Sequence, residues 1–252
     1  MPFTQIILEK KAPIAKITLN RPEALNALSP TLLNELKQAL DDVEQDQQIK
    51  VVVLAGSGRA FCAGADLKFM AQAQQKELFN YIQMLNEVFF KVECLDKPVI
   101  AAVNGYALAG GLELTLCCDL VVVSEQAIFG DEHINRGLMP GGGSTIRLAR
   151  IIGLRRTKEF LYTGDRWDVK RACEAGLVNL VVPPEKLEEA AMELANKIAS
   201  KNGFALRLIK HAVNRSLDSD RETLQTLERA AFNVVLSSPE AQEGLRAFLS
   251  RK

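Results

Sequence analysis

Apolar positions along the chain follow two rhythms. Ile14–Leu19 alternates as a half-buried strand does, and residues 51–54, 99–103, 120–123 and 178–182 are short continuous apolar runs, with a further strand at 127–129. Runs of that length suit strands buried on both faces or within a layered core. Between them the spacing turns helical. Residues 30–43 open with Ser29 as N-cap and Pro30 at the first helical position, a strong start signal. Residues 71–92 form a longer amphipathic helix that stops before Pro98. Beyond Gly176 the strand signals thin out, and helices are predicted at 185–200, 204–217, 221–237 and 240–250. The pattern predicts an α/β body over 1–185 carrying the active site and a helical region over 186–252.

Three segments at strand ends break the local rules, and such places are where chemistry concentrates. The first is Arg59-Ala60-Phe61-Cys62-Ala63-Gly64-Ala65-Asp66-Leu67, very small residues at a strand-to-helix turn. Small side chains let a ligand approach the backbone, and free N–H groups there can bind an oxyanion; a tight, close-packed turn is the plainer alternative. The second runs from Asn104 to Leu114 and places Gly110 and Gly111 at a helix start, with unpaired N–H groups at the positive end of its dipole. It lacks both the GK[ST] of a Walker A loop and a dinucleotide fingerprint. Within it Glu113 stands among Leu112, Leu114 and Leu116, so this carboxylate must be paired, hydrogen-bonded, protonated or functional. The third, Gly130 to Ser144, packs Asp131, Glu132, His133, Asn135 and Arg136 before a glycine turn. The only other histidine, His211, sits beside Lys210 in the helical region as an expected surface residue.

Composition narrows the field. Of 252 residues 48% are hydrophobic and 25% charged, which excludes intrinsic disorder. Lys plus Arg number 31 and Asp plus Glu 31, so no basic excess speaks for nucleic acid. No stretch nears 18 uninterrupted apolar residues, so no membrane span is expected, and Met1 to Glu9 shows no secretory leader pattern. Five cysteines without a CxxC pair point to a reducing compartment, the cytoplasm, and to no structural metal. The zero sum hides segregation. Residues 144–171 hold eight basic and three acidic side chains, available to an anionic ligand or a subunit interface, whereas 31–48 hold five acidic and one basic.

Taken in order, these segments resemble the enoyl-CoA hydratase/isomerase (crotonase) superfamily. Asn20-Arg21-Pro22-Glu23-Ala24-Leu25-Asn26-Ala27-Leu28 matches its first landmark, Phe61 to Leu67 its second, Gly105 to Asp119 its third and Pro140 to Arg147 its fourth. Leu161-Tyr162-Thr163-Gly164 and Ala175-Gly176-Leu177-Val178 match later ones. Each motif is weak alone, but the ordered set is specific and covers essentially the whole chain.

The resemblance implies an α/β spiral of repeated ββα units, a C-terminal helical region used for trimerisation, and a homotrimer or homohexamer. It implies an acyl-CoA thioester as substrate, with no cofactor beyond that coenzyme A. The two backbone N–H groups of the family's oxyanion hole map onto Ala65 and Gly110. In its hydratases two glutamates hold the water that adds across the α,β double bond: Glu113 falls on the one that activates water, whereas His133 falls on the one that supplies the proton to Cα. That departure leaves Glu132 one residue away and pointing elsewhere. Imidazole titrates near neutrality and can do this work, so hydration of a 2-enoyl-CoA is expected. For the substrate the carry-over names Ala24, Leu25, Ala63, Asp66, Leu67 and Gly111, with Lys68 beyond the turn for a phosphate. It adds Phe232, an aromatic that in relatives often reaches the ligand from a neighbouring subunit.

Other readings within the family are a dienoyl or branched enoyl-CoA hydratase, which the polarity of Asn135 and Arg136 permits, and an isomerase, decarboxylase, hydrolase or dehalogenase. Non-catalytic acyl-CoA binding is another, against which Glu113 and the Gly110–Gly111 turn argue. One family member binds AU-rich RNA through a lysine-rich helix; the matching helix here has Glu35, Asp41, Asp42, Glu44 and Asp46 against Lys37 and repels phosphate.

Overall fold

The computed structural model describes residues 3–250. β1 (Ile6–Lys11) and β2 (Ile14–Leu19) form an antiparallel hairpin. A single helical turn, Pro22–Ala24, then leads to α1 (Pro30–Gln45). The Ser29 side chain caps α1 by accepting from the Leu32 N–H at 3.0 Å. Leu32, Leu33, Leu36, Ala39, Leu40 and Val43 line its buried face at helical spacing. Its acidic residues are largely engaged: Asp42, with Asp46 just past the helix end, meets Lys10, and Asp41 and Glu44 meet Lys91.

From there one unit repeats three times: long strand, short strand, helix. β3 (Val51–Gly56) and β4 (Ala60–Cys62) lead into α2 (Leu67–Gln72) and α3 (Gln75–Cys94). β5 (Val99–Val103) and β6 (Tyr106–Leu108) lead into α4 (Gly110–Leu116). β7 (Leu120–Ser124) and β8 (Ile128–Gly130) lead through a turn at Ile134–Arg136 into α5 (Ser144–Ile152) and α6 (Leu154–Thr163). β9 (Trp167–Asp168), α7 (Val169–Glu174) and β10 (Leu180–Val182) complete the strands. Four helices follow: α8 (Leu187–Ala199), α9 (Gly203–Asn214), α10 (Arg221–Leu236) and α11 (Pro239–Leu249).

The longer strands and the short β10 at one edge form one sheet in the order β1-β2-β3-β5-β7-β10, parallel apart from the opening hairpin. The short strands form a second, β4-β6-β8-β9, in which β4, β6 and β8 run parallel. The continuous apolar runs are explained by burial on both faces of the larger sheet. Leu54, Ala101 and Val123 face a core shared with α1 and α3, while Val51, Val53, Ile100, Ala102 and Val122 face α8. That helix presents Leu187, Ala191, Ala195 and Ala199, spaced four apart.

The helical region expected over 186–252 thus holds two kinds of helix. α8 covers the large sheet, whereas α9 buries only Lys210, and α10 and α11 bury nothing. Lys210 Nζ docks α9 by donating to Asp119 at 2.8 Å and to the Lys97 carbonyl at 3.1 Å. His211 is half-buried rather than a surface residue, with Nε2 2.8 Å from Asp96. The single helix expected over 71–92 is two: the backbone extends at Ala73 and Gln74, and Glu77 restarts it by accepting from the Gln74 N–H at 2.7 Å.

Candidate active site

The three unusual segments leave the ends of β4, β6 and β8, adjacent parallel strands of the small sheet, so the fold gathers them at one edge. Asn26 braces the first. Its fully buried side chain accepts from the Arg21 N–H at 2.8 Å and donates to the carbonyls of Ser57 at 2.9 Å and Ala60 at 2.8 Å. The Ala63 N–H donates to the Leu25 carbonyl and the Leu28 N–H to the Gly64 carbonyl, which lays the Ala24–Leu25 turn directly against residues 63–65.

Gly64 then lets two turns touch. Its φ is +105°, and a Cβ there would lie 2.8 Å from the Ala109 Cβ and 3.1 Å from the Gly110 nitrogen. Ala109 is itself held at φ 47°, anchored by donation of its N–H to the Gly130 carbonyl at 2.7 Å. Gly111 must be glycine because a Cβ would meet the Cys62 carbonyl oxygen at 2.0 Å. The Ala65 and Gly110 N–H groups donate to no protein acceptor among the described residues, and the site a Cβ of Gly110 would fill lies 3.4 Å from the Ala65 nitrogen. Two neighbouring fixed dipoles of this kind can stabilise a developing oxyanion without reorganising.

Glu113 lies one turn into α4 and is 2% exposed. It does not cap its own helix. Its Oε1 accepts from the Gly142 N–H at 2.7 Å and the Ser144 N–H at 3.2 Å, while Oε2 takes no protein donor among the described residues. Gly142 has to be glycine for this, since a Cβ would sit 2.6 Å from Oε2. Burial raises the Glu113 pKa above its ordinary 4.5, and His133 and the two amides only moderate the rise.

After β8, Asp131 is 1% exposed and its Oδ1 lies 2.8 Å from His133 Nδ1. Burial opposes protonation of His133, but the Asp131 bond and the charges of Asp131 and Glu113 outweigh it and lift its pKa above 6.5. Glu132 is spent elsewhere, on Arg136 and Arg166. Asn135 donates to the Gly164 carbonyl at 2.8 Å, so its polarity serves the fold.

A cavity of about 400 Å³ joins these groups, within the range of small-molecule sites. Ala63, Ala65, Leu67, Gly110, Glu113 and His133 line it, and so do Met70, Ile82, Leu85 and the 138–142 loop. Ala24, Leu25, Asp66, Gly111 and Phe232 do not line it. Asp66 is taken up capping α2, through Lys68 and Phe69, and pairing with Arg21. Lys68 is exposed, and Phe232, 63% exposed, lies on α10 away from the cavity of its own chain. Sequence reasoning misses the amides of Gly142 and Ser144 and the partnership of Asp131; the glycine run before Ser144 is the one signal for the former. A second cleft of about 490 Å³ borders Gly142 and Gly143 but contains neither Glu113 nor His133.

The chain matches the enoyl-CoA hydratase/isomerase family over residues 9–252. It is 38% identical to the short-chain-enoyl-CoA hydratase of Clostridium acetobutylicum, covering all of this chain and 97% of that protein. It is 39% identical to the crotonyl-CoA hydratase of Syntrophomonas wolfei, with the same coverage. The crystal structure of an enoyl-CoA hydratase from Bacillus anthracis superposes with a TM-score of 0.96 at 40% identity, covering 99% of this chain and 97% of that one. Sequence and fold agree over nearly the whole chain, and the protein belongs to the enoyl-CoA hydratase/isomerase family.

Proposed function

We propose that this protein adds water across the α,β double bond of a short-chain 2-enoyl-CoA. The observation that carries the reading is Glu113, with one oxygen locked by two amides and the other free on a cavity shared with His133. The thioester carbonyl accepts from the Ala65 and Gly110 N–H groups. Glu113 Oε2 takes a proton from water as its oxygen bonds to Cβ, and the electron pair of the double bond moves into an enolate. His133 gives a proton to Cα. Each positioned proton transfer is worth about 10²–10⁴ in rate, and each oxyanion donor about 10²–10³. The reaction as written needs no cofactor beyond the coenzyme A of the substrate.

The coenzyme A portion lies along the Ala24–Leu25 turn and residues 63–67, with Asp66 contributing through the order it imposes on α2 and Gly111 through the seating of α4. The apolar walls Leu67, Met70, Ile82, Leu85, Leu138 and Met139 suit a small acyl group. The names of the short-chain and crotonyl-CoA hydratases among the relatives support the same size class. Exposed Phe232, Phe248 and Leu249 support assembly into a homotrimer or homohexamer, in which Phe232 reaches a neighbour's ligand. Five free cysteines support a reducing compartment, the cytoplasm.

Loss of the 2-enoyl thioester absorbance, followed with crotonyl-CoA and with longer and branched analogues, tests the reading. Crotonyl-CoA is expected to turn over fastest, and no turnover of any enoyl-CoA refutes hydration. Light scattering on the same preparation reads the assembly, which a monomer would refute.

A further inference from the structure

The segment Asp131-Glu132-His133 carries a contact that hydration by two carboxylates would not need. Glu132 takes a left-handed backbone, φ 63°, a conformation unfavourable for a residue other than glycine. Its carboxylate holds Arg136 at 2.9 Å and also Arg166, which pins the kink. The turned chain brings His133 Nδ1 to 2.8 Å from Asp131 Oδ1. Asp131 Oδ2 is buried with no protein donor among the described residues. A buried carboxylate with so few donors is costly unless its partner carries charge, and the partner present is the imidazole.

We propose that Asp131 is a positioning residue for His133, fixing the ring with Nδ1–H toward itself and Nε2 toward the cavity, so that a carboxylate–imidazolium pair delivers the Cα proton. The inference rests on the hydration reading above. The charged groups around the ring are Asp131 and Glu132 before it, Arg136 after it and Glu113 from α4, with Arg166 drawing Glu132 aside. Burial and Arg136 disfavour the cation, and Asp131 and Glu113 restore it.

The step balances without an oxidant. The Nε2–H bond breaks as the Cα–H bond forms with the enolate's electron pair, and the imidazole is left neutral with Nδ1–H still on Asp131. The proton that Glu113 took from water then returns to Nε2 through solvent in the site. The net change is addition of one water.

The chain has two histidines, so selective 13C and 15N labelling gives two ring spectra, and His211→Asn assigns them. In the native protein the His133 ring is expected to titrate above 6.5 and, once neutral, to keep its proton on Nδ1. A neutral ring protonated on Nε2 overturns the proposal without any variant of the site. In Asp131→Asn the ring pKa falls by about one unit or more. The alkaline limb of kcat moves down with it, and kcat drops about tenfold or more with KM little changed. Asp131→Glu, which restores the charge, recovers the raised pKa. If Asp131→Asn leaves both the titration and the alkaline limb in place, Asp131 is structural and the proposal fails. A ring that responds in a protein inert toward every enoyl-CoA supports the pairing and overturns hydration instead.

Discussion

The turns after β4 and β6 each bury one carboxylate, and the two are used in opposite ways. Asp66 gives one oxygen to the amides of Lys68 and Phe69 and the other to Arg21. Burial alone would raise its pKa, but Arg21 and the amides outweigh burial and hold it below 3.8. Both oxygens are engaged, so Asp66 can only hold. Glu113 receives both of its amides on one oxygen and leaves the other to the cavity, and there burial prevails. Glu132 sides with Asp66, because two arginines keep it ionised below 4.5. A buried acid is therefore no mark of chemistry by itself. What matters is whether the fold leaves one of its oxygens without a donor.

Glu113→Gln strains this contrast hardest. The amide still accepts from Gly142 and Ser144 but is no base, so hydration falls by about 10²–10⁴ while affinity for the CoA product survives. Its effect on stability has the opposite sign. A folded pKa above 4.5 gives stability that is present below pH 4.5 and lost as pH rises through the raised value, because burial disfavours the ionised carboxylate in the fold. Thermal unfolding at pH 7 is expected to come later in Glu113→Gln than in the native protein; an earlier transition would place Glu113 with the structural carboxylates.

Asp66→Ala should do the reverse. Loss of the α2 cap costs about 1–2 kcal/mol in urea unfolding at neutral pH, and kcat changes by less than about tenfold. Because the folded pKa of Asp66 is depressed, its contribution is present above 3.8 and lost as pH falls through the lower folded value. The difference between variant and native protein closes there, and a larger fall in kcat than in stability would move Asp66 into the chemistry. The smallest effect is in the native pH profile of kcat/KM. An acid limb is expected above 4.5 from Glu113 and an alkaline limb above 6.5 from His133. A profile without the alkaline limb would remove His133 from proton transfer.

Some of this is legible in the sequence, for physical reasons. Ile14–Leu19 and Val99–Val103 can be placed to the residue because long apolar signatures end on turn residues, and Ser29-Pro30 marks the start of α1. The strand expected at 127–129 lies one residue from β8, but β4 and β6 have three residues each, too few to show a period, so most of the sheet that builds the site stays hidden. No glycine or proline announces the break between α2 and α3. Glu113 stands out among leucines, yet its lock comes from amides 29 and 31 residues onward. The Asp131–His133 contact depends on a left-handed glutamate that no propensity would suggest. The basic excess at 144–171 dissolves in part into ion pairs: Arg147, Arg150, Arg166 and Arg171 meet Glu93, Asp218, Glu132 and Glu159.

The small sheet also acts as a ruler. Hydrogen-bonded strands stand about 4.8 Å apart, so the ends of β4 and β8, two steps from each other across β6, are separated by about 10 Å whatever side chains they carry. The Ala65 amide emerges at one graduation, the Gly110 amide and Glu113 at the next, and His133 at the third. Because main-chain bonding sets the interval, a side chain at one mark can be exchanged for another without recalibrating the other two.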